Sequence, residues 1–579
     1  MNFLKSFFAA VLGTLFGLAL FMILLGFVFG GIAALGENVP VQIGANSVLE
    51  LRLNRPLQDR ASTIEEFSSA LGLKEGPQGL NTLLKAIGAA KTDDRIKGIS
   101  LHAATPQAGW AQLYELREAL TEFKASGKWV YAHADFYSQK GYYLSSVADQ
   151  VFLHPLGTLE LKGLATEVLY YKDFQKRFGI EMEVVRLGKY KSAVEPYLNA
   201  TMSAENKEQI SALLASLWEH ISTAISENRN LTPSIVEKIV ANLGAQQPEV
   251  ALDQEIIDGL LDESDYEAFL EEQLPNFDRV DATAYGNQVD TSSANRIAVL
   301  YAQGPILYGE GGETFIGQDA MLEAIEDIIA HPMIKAVVLR VDSPGGVALT
   351  SDIIWAQLQR IPEHKPLVVS MGNVAASGGY YIALPGQQLV ATPLSITGSI
   401  GAFATIPNIK KLTADLGINA EQVSTHPNAL GYSPFSALST GVKTQIRKGL
   451  ETTYSTFKSR VAQGRKMDED TVEALAQGRV WSGAQAKANG LIDSFGGLTT
   501  AVAKAAEAAN LENYTTVAYP KWTPDLNRYL ASVLSGVQLQ LPLHLFEALL
   551  PASNTANPPV TPQNQPHVQT ALPFQLNIN

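Results

Sequence analysis

The segment Asn373-Val-Ala-Ala-Ser377-Gly378-Gly379-Tyr-Tyr places a serine where it could act as a nucleophile. It follows an apolar, strand-like run, Pro366-Leu-Val-Val-Ser370, and leads into a helix-like one. A serine at a strand-to-helix turn projects its hydroxyl, and the next backbone N–H points into the same space, near the positive end of the helix. Acyl transfer needs this pairing of nucleophile and oxyanion donor. The usual elbow reads Gly-x-Ser-x-Gly; here Ala375 stands two residues before the serine, and small residues in such turns also serve close packing. Ser343-Pro-Gly-Gly346 ends the preceding apolar run. Its glycines suit either a tight turn or a close approach of backbone N–H groups to a ligand.

A serine hydroxyl is a poor nucleophile until a base takes its proton. None of the nine histidines falls into a recognisable Ser-His-Asp arrangement: His364 and His426 lie in loop-like segments, and His102 and His133 read as packing or surface residues. A lysine is the alternative. Free lysine, with a pKa of about 10.4, is protonated at neutral pH and becomes a base only when buried among apolar groups. Gly188-Lys189-Tyr190-Lys191-Ser192-Ala193-Val194-Glu195-Pro196-Tyr197 suits this, with Lys191 followed by small and apolar residues and Lys189 as its competitor.

These candidates are linked by a duplication. Ile96-Lys97 matches Ile334-Lys335, Gly141-Tyr142-Tyr143 matches Gly379-Tyr380-Tyr381, Gly179-Ile180 matches Gly417-Ile418, and Pro196 matches Pro434, all 238 residues apart. In this frame Ser377 faces Gln139, Lys191 faces Ala429, Lys189 faces Pro427, and Gly345-Gly346 faces Gln107-Ala108. Serine and glycine pair survive in copy two and the lysines in copy one, which suggests a single composite site.

The elements that must position these residues repeat too. Each copy opens with a strand-like run (residues 47–53 and 296–302), then a helix-like stretch (79–90 and 320–329), then short β-branched runs alternating with helical patterns. That order predicts βαβ units and a mostly parallel sheet. Residues 200–245 and 440–478 read as helical, and the polar stretch 275–294 as a linker between copies. With 46% hydrophobic and 17% charged residues the chain is an ordinary folded protein, and its net charge of −15 argues against a nucleic-acid surface. The absence of cysteine excludes thiol catalysis, Cys-ligated zinc and disulfides.

From Ser6 to Gly36 no residue is charged, with Lys5 before the run and Glu37 after it. About 20 apolar residues span a bilayer, and the flanking charges put Lys5 in the cytoplasm and the rest of the chain outside it. A cleaved signal peptide, with an apolar core of roughly 7–15 residues, is the shorter rival. The expected organisation is a membrane anchor over 1–40, repeats over 45–275 and 295–515, and a disordered Pro/Asn/Gln-rich tail over 551–579; residues 530–550 are apolar and could pack on the core, a partner or the membrane.

The runs Tyr190-Lys191-Ser-Ala-Val-Glu-Pro-Tyr197, Asp342-Ser-Pro-Gly-Gly346, Ala376-Ser377-Gly-Gly-Tyr-Tyr381, Thr397-Gly-Ser399-Ile-Gly401 and Gly478-Arg-Val-Trp-Ser-Gly483 resemble the signal peptide peptidase A (protease IV) family in its long, membrane-anchored, tandem-repeat form. The resemblance covers residues 45–515. It implies an α/β fold of two Clp/crotonase-like repeats behind one N-terminal transmembrane helix, and a Ser/Lys-dyad endopeptidase with no metal or cofactor. The nucleophile would be Ser377, the general base Lys191, the oxyanion donors Gly346 and Gly378, and the lysine-orienting hydroxyl Ser399. Short apolar peptides such as cleaved signal peptides would be the substrates. A homotetramer in the bacterial inner membrane, its catalytic part periplasmic, would be the setting. The fused repeat favours pairing of Lys191 and Ser377 within one chain. A crotonase-type acyl-CoA enzyme and a non-catalytic membrane scaffold are the competing readings; the anchor, the export topology and the Ser/Lys complementarity weigh against the first.

Overall fold

The computed structural model describes residues 13–18, 20, 42–61, 76–289, 292–522 and, as backbone, 569–571. The apolar run from Ser6 to Gly36 therefore lies outside the described residues except for 13–18 and Leu20, which are helical. No helix among the described residues is long and apolar enough to cross a membrane. Residues 530–550 and most of the tail also lie outside them.

Two mixed α/β halves repeat one plan. In the first, a six-stranded sheet runs in the order Gly259–Leu260, Gln150–Leu159, Trp129–Tyr137, Ile96–His102, Ser47–Arg52, Asp278–Asp281, all parallel. In the second, Leu367–Ala376, Ile334–Ser343, Arg296–Gln303 and Thr515–Tyr519 follow in the same order, again parallel. Strands starting at 96 and 334, 129 and 367, and 150 and 388, and helices starting at 172 and 410, are each 238 residues apart. Runs such as Ala336-Val-Val-Leu-Arg-Val341 are buried along their length, as strands covered on both faces must be.

The stretch 275–294 does more than link. Asp278–Asp281 adds to the edge of the first sheet and Ala282–Gln288 is a helix, because Val280, Ala282 and Tyr285 give the polar stretch an apolar face that is buried. Thr515–Tyr519 holds the matching edge of the second sheet.

The halves are joined through a buried charge cluster. Arg340 donates from Nε to Asp59 Oδ2 at 2.7 Å and from an η nitrogen to Glu115 Oε1 at 2.7 Å, and all three side chains are buried. Burial opposes the Arg340 charge, but the two carboxylates outweigh it and raise its pKa. Asp59 and Glu115 come from the first half, so the ions lock one half onto the other. The second join is a small antiparallel sheet. Glu181–Leu187 of the first half pairs residue for residue with Ala402–Asn408 of the second, from Leu187 opposite Ala402 to Glu181 opposite Asn408.

Candidate active site

Ser377 follows the strand Leu367–Ala376 and caps the helix Gly378–Ala383. Its backbone stands at φ 56°, ψ −119°, a region that L-residues avoid. The surroundings hold it there: Ser377 N–H donates to Gly398 O at 2.8 Å, and the strands of Ala376 and Gly398 are paired. Strain of this kind costs on the order of 1–3 kcal/mol and persists where packing over-determines it. Gly379 must be glycine, because a Cβ would lie 2.6 Å from Ser343 O. The helix thus packs directly against the Ser343-Pro-Gly-Gly346 turn.

Lys191 arrives from the other half of the chain. Its Nζ donates to Ser377 Oγ at 3.0 Å, to Ser399 Oγ at 2.9 Å and to Ser399 O at 2.9 Å. Lys191, Ser377 and Ser399 are all fully buried. Burial lowers the Lys191 pKa from 10.5 to about 7, with no carboxylate paired to it among the described residues. An ammonium stripped of water loses its solvation, and the neutral amine becomes accessible near neutral pH. The ring of Phe403 lies 5.9 Å from Nζ. Lys189, by contrast, is exposed beside the Tyr190 ring. The geometry thus separates the two lysines that the repeat offset left equivalent.

The loop carrying Lys191 is held by residues that the sequence did not point to individually. Gln209 Nε2 donates to Tyr190 O at 3.0 Å and to Ser192 Oγ at 2.9 Å, while its Oε1 accepts from Val480 N. Tyr190 N–H donates to Gln477 O at 2.9 Å. Gly478 stands at φ +78°, and a Cβ there would lie 2.5 Å from Lys191 Cβ and 2.7 Å from its Cα. The Gly478-Arg-Val-Trp-Ser-Gly483 run was the available signal for this contact; nothing in spacing pointed to Gln209. Gly478→Ala is expected to push Lys191 away from Ser377. A 1 Å misplacement can cost about 100-fold, so kcat should fall by at least that much; unchanged kcat would remove Gly478 from this role.

Gly346 lies on the short strand Gly345–Val347, where a Cβ would meet Ile306 O at 2.0 Å, and Gly378 is the first residue of its helix. A helix leaves the amide of its first residue without an intrahelical acceptor. The chain's own residues Gln569–Ala571 form a strand antiparallel to Gly345–Val347, with Gln569 also opposite Phe403 of Ala402–Asn408. An extended backbone therefore fits the slot beside Gly346.

In the first half the equivalent position is sealed. Gln139 Oε1 accepts from Lys162 N at 2.9 Å and Gly163 N at 2.8 Å, and its Nε2 donates to Gly163 O. Ala429, opposite Lys191 in the repeat frame, is exposed. His364 and His426 are exposed as well. His102, His133 and Glu263 form a cluster in the first half, with ligand atoms within 4.8 Å of one another. Within it His133 contacts Leu261 O through Nε2 and Glu263 through Nδ1.

Comparison with known proteins finds one family across both halves. Residues 122–274 and 359–512 each match the family model described as Peptidase family S49. The chain is 36% identical to "Protease 4" of Salmonella typhi over 81% of this chain and 78% of that one. It is 32% identical to "Protease 4" of Haemophilus influenzae over 90% of both chains. It is also 31% identical to "Serine protease SPPA, chloroplastic" of Arabidopsis thaliana, over 81% of this chain and 70% of that one.

Proposed function

Since the chain belongs to peptidase family S49 and is a serine peptidase, we propose that it works through a Ser377/Lys191 dyad on short apolar peptides, such as cleaved signal peptides, at a membrane surface. The observation that carries this reading is the 3.0 Å hydrogen bond from a fully buried lysine to the strained serine. Neutral Lys191 takes the Ser377 proton as Oγ attacks the peptide carbonyl. The amides of Gly346 and Gly378 stabilise the oxyanion, the ammonium of Lys191 protonates the leaving amine, and a water activated by the same lysine releases the acyl group. Ser399 holds the amine on line.

The slot between Gly345–Val347 and Ala402–Asn408, taken by an extended segment of the chain itself, supports binding of substrate by strand addition. Buried Phe403 and Val347 beside it favour apolar side chains. The Ser6–Gly36 run between Lys5 and Glu37 supports a single-pass anchor in the bacterial inner membrane with the peptidase on the periplasmic side. Exposed Leu416, Ile418 and Val423 support self-association, as a tetramer.

A lysine base sets the pH dependence. Its folded pKa, about 7, lies below the ordinary value, so the reactive neutral form grows as pH rises. We expect kcat/KM on a fluorogenic apolar peptide to rise about tenfold per unit below pH 7 and to level off above it. A profile flat from pH 5 to 9 would argue against a lysine base. A serine-directed acylating inhibitor should label Ser377, mapped by mass spectrometry; labelling at another serine would overturn the assignment.

A further inference from the structure

The first half holds a second group of chemistry-bearing side chains, His102, His133 and Glu263, and peptide cleavage by the dyad uses none of them. His102 closes the strand Ile96–His102, and His133 lies on the neighbouring strand Trp129–Tyr137, where Leu101 stands opposite Ala132. Glu263 opens the helix Glu263–Gln273, whose Tyr266 ring stacks on the His133 ring at 4.8 Å. One ring nitrogen from each histidine and a Glu263 oxygen lie within 4.8 Å of one another. The hydrogen bonds of the Lys191 amine reach none of them.

The neighbours of His133 fix where its hydrogen sits. Nε2 lies 3.0 Å from Leu261 O, which can only accept, so Nε2 carries the hydrogen. Nδ1 lies 3.1 Å from Glu263 Oε2. In a neutral ring Nδ1 then bears a lone pair, and that lone pair faces a carboxylate. Two electron-pair donors stand this close only with a cation between them. A second ring proton would serve this pair and leave His102 out. A metal ion serves all three groups at once.

The surroundings favour the metal. Burial, helped by nearby Arg52, lowers the His102 pKa to about 4, so at neutral pH the ring is uncharged and keeps a nitrogen lone pair. Arg52 and Arg279 are both paired with Glu50. A ligating imidazole commonly donates its other N–H to a backbone carbonyl, which fixes the ring, and Leu261 O is such a partner. Tetrahedral zinc ligands at about 2.0–2.1 Å from the ion stand about 3.3 Å from one another, close to the spacing of His133 and Glu263. His133 is buried while the Glu263 side chain is 54% exposed, so an ion can enter from the carboxylate side. In the second half the aligned positions are Arg340 and Met371, and Arg340 is itself the cation seated on the carboxylates of Asp59 and Glu115.

We infer that His102, His133 and Glu263 bind a divalent transition-metal ion of the zinc type, with a fourth position left to water. Two imidazoles and one carboxylate suit zinc, whereas calcium and magnesium take oxygen ligands. The ion ties the start of the helix Glu263–Gln273 to two strands of the first sheet. It stabilises that half and takes no part in peptide cleavage.

The chain contains no cysteine, so no thiol competes for the ion. The test uses the untagged full-length protein in detergent micelles, stripped with a chelator and titrated with zinc chloride by calorimetry. One equivalent should bind and raise Tm, and calcium chloride should not displace it. His102→Ala and Glu263→Gln should each weaken zinc binding by at least about 100-fold, since even the partners behind metal ligands are worth about 10–100-fold. Glu263→Gln alters an exposed side chain, so an unchanged far-UV spectrum beside lost binding separates a ligand from a folding defect. Zinc should leave the Tm of Glu263→Gln where it is. Stripped and zinc-loaded protein should cleave peptide with the same kcat; a kcat that falls on stripping would overturn the purely stabilising role. No stoichiometric uptake of zinc, or uptake that survives both substitutions, overturns the site and leaves His133 and Glu263 as a proton-bridged pair.

Discussion

Ser377→Ala and Lys191→Ala should each abolish peptide cleavage, reducing kcat by at least about 10⁴-fold, with the double variant little worse than either alone. Groups that act as a unit are strongly non-additive, because removing one disables the other. The serine without its base carries its proton at 3.0 Å from empty space, and the lysine without the serine has nothing to activate. Folding should survive both changes. Ser377 gives up one buried hydrogen bond, and Lys191→Ala removes an amine whose charged form is penalised by burial. Near-native activity in either variant, measured beside an unchanged far-UV spectrum, would end the dyad assignment.

Arg340→Ala should be the most destabilising single change away from the site. It leaves Asp59 and Glu115 buried, close together and without their cation. Breaking a buried ion pair by removing one partner costs about 3–5 kcal/mol. For halves of this size that corresponds to a fall in Tm of roughly 10 °C. Glu115, whose pKa burial already raises despite Arg340, would take up a proton. The triple variant Arg340→Met/Asp59→Asn/Glu115→Gln should recover much of the loss in calorimetry, since replacing a whole buried ionic cluster is often neutral. If Arg340→Ala melts within 2 °C of the parent, the cluster does not lock the halves.

The contrast between these two sites shows what was legible in the sequence. Strands at 47–52, 296–303 and 334–343 and helices at 80–90 and 318–330 declared themselves through local pattern, since burial on one or both faces dictates residue type at each position. Ser377 and Lys191 emerged because each survives in only one copy, and the Tyr190–Tyr197 motif chose between Lys191 and Lys189. The Arg340 cluster had no such signal. Its members stand 225 and 281 residues apart, and an arginine in an apolar run looks like any strand residue until the partners from the other half are seen. Gln209 is hidden for the same reason: a glutamine on a long helix reads as a solvated face, yet it holds the backbone of Tyr190. Residues 275–294 misled through composition, because three buried apolar side chains suffice to seat a short strand and helix.

The hydrogen bond between Lys191 and Ser377 closes a loop of 186 residues. At a synthesis rate of about 5–20 residues per second, the base exists for roughly 10–40 s before its nucleophile has been made. During that interval the emerging chain holds the proposed base without the proposed nucleophile. With the proposed dyad, neither repeat holds both groups alone, and they meet only when the second half docks on the first. On the proposed assignment, splitting the dyad across the duplication delays its assembly until both halves have been made.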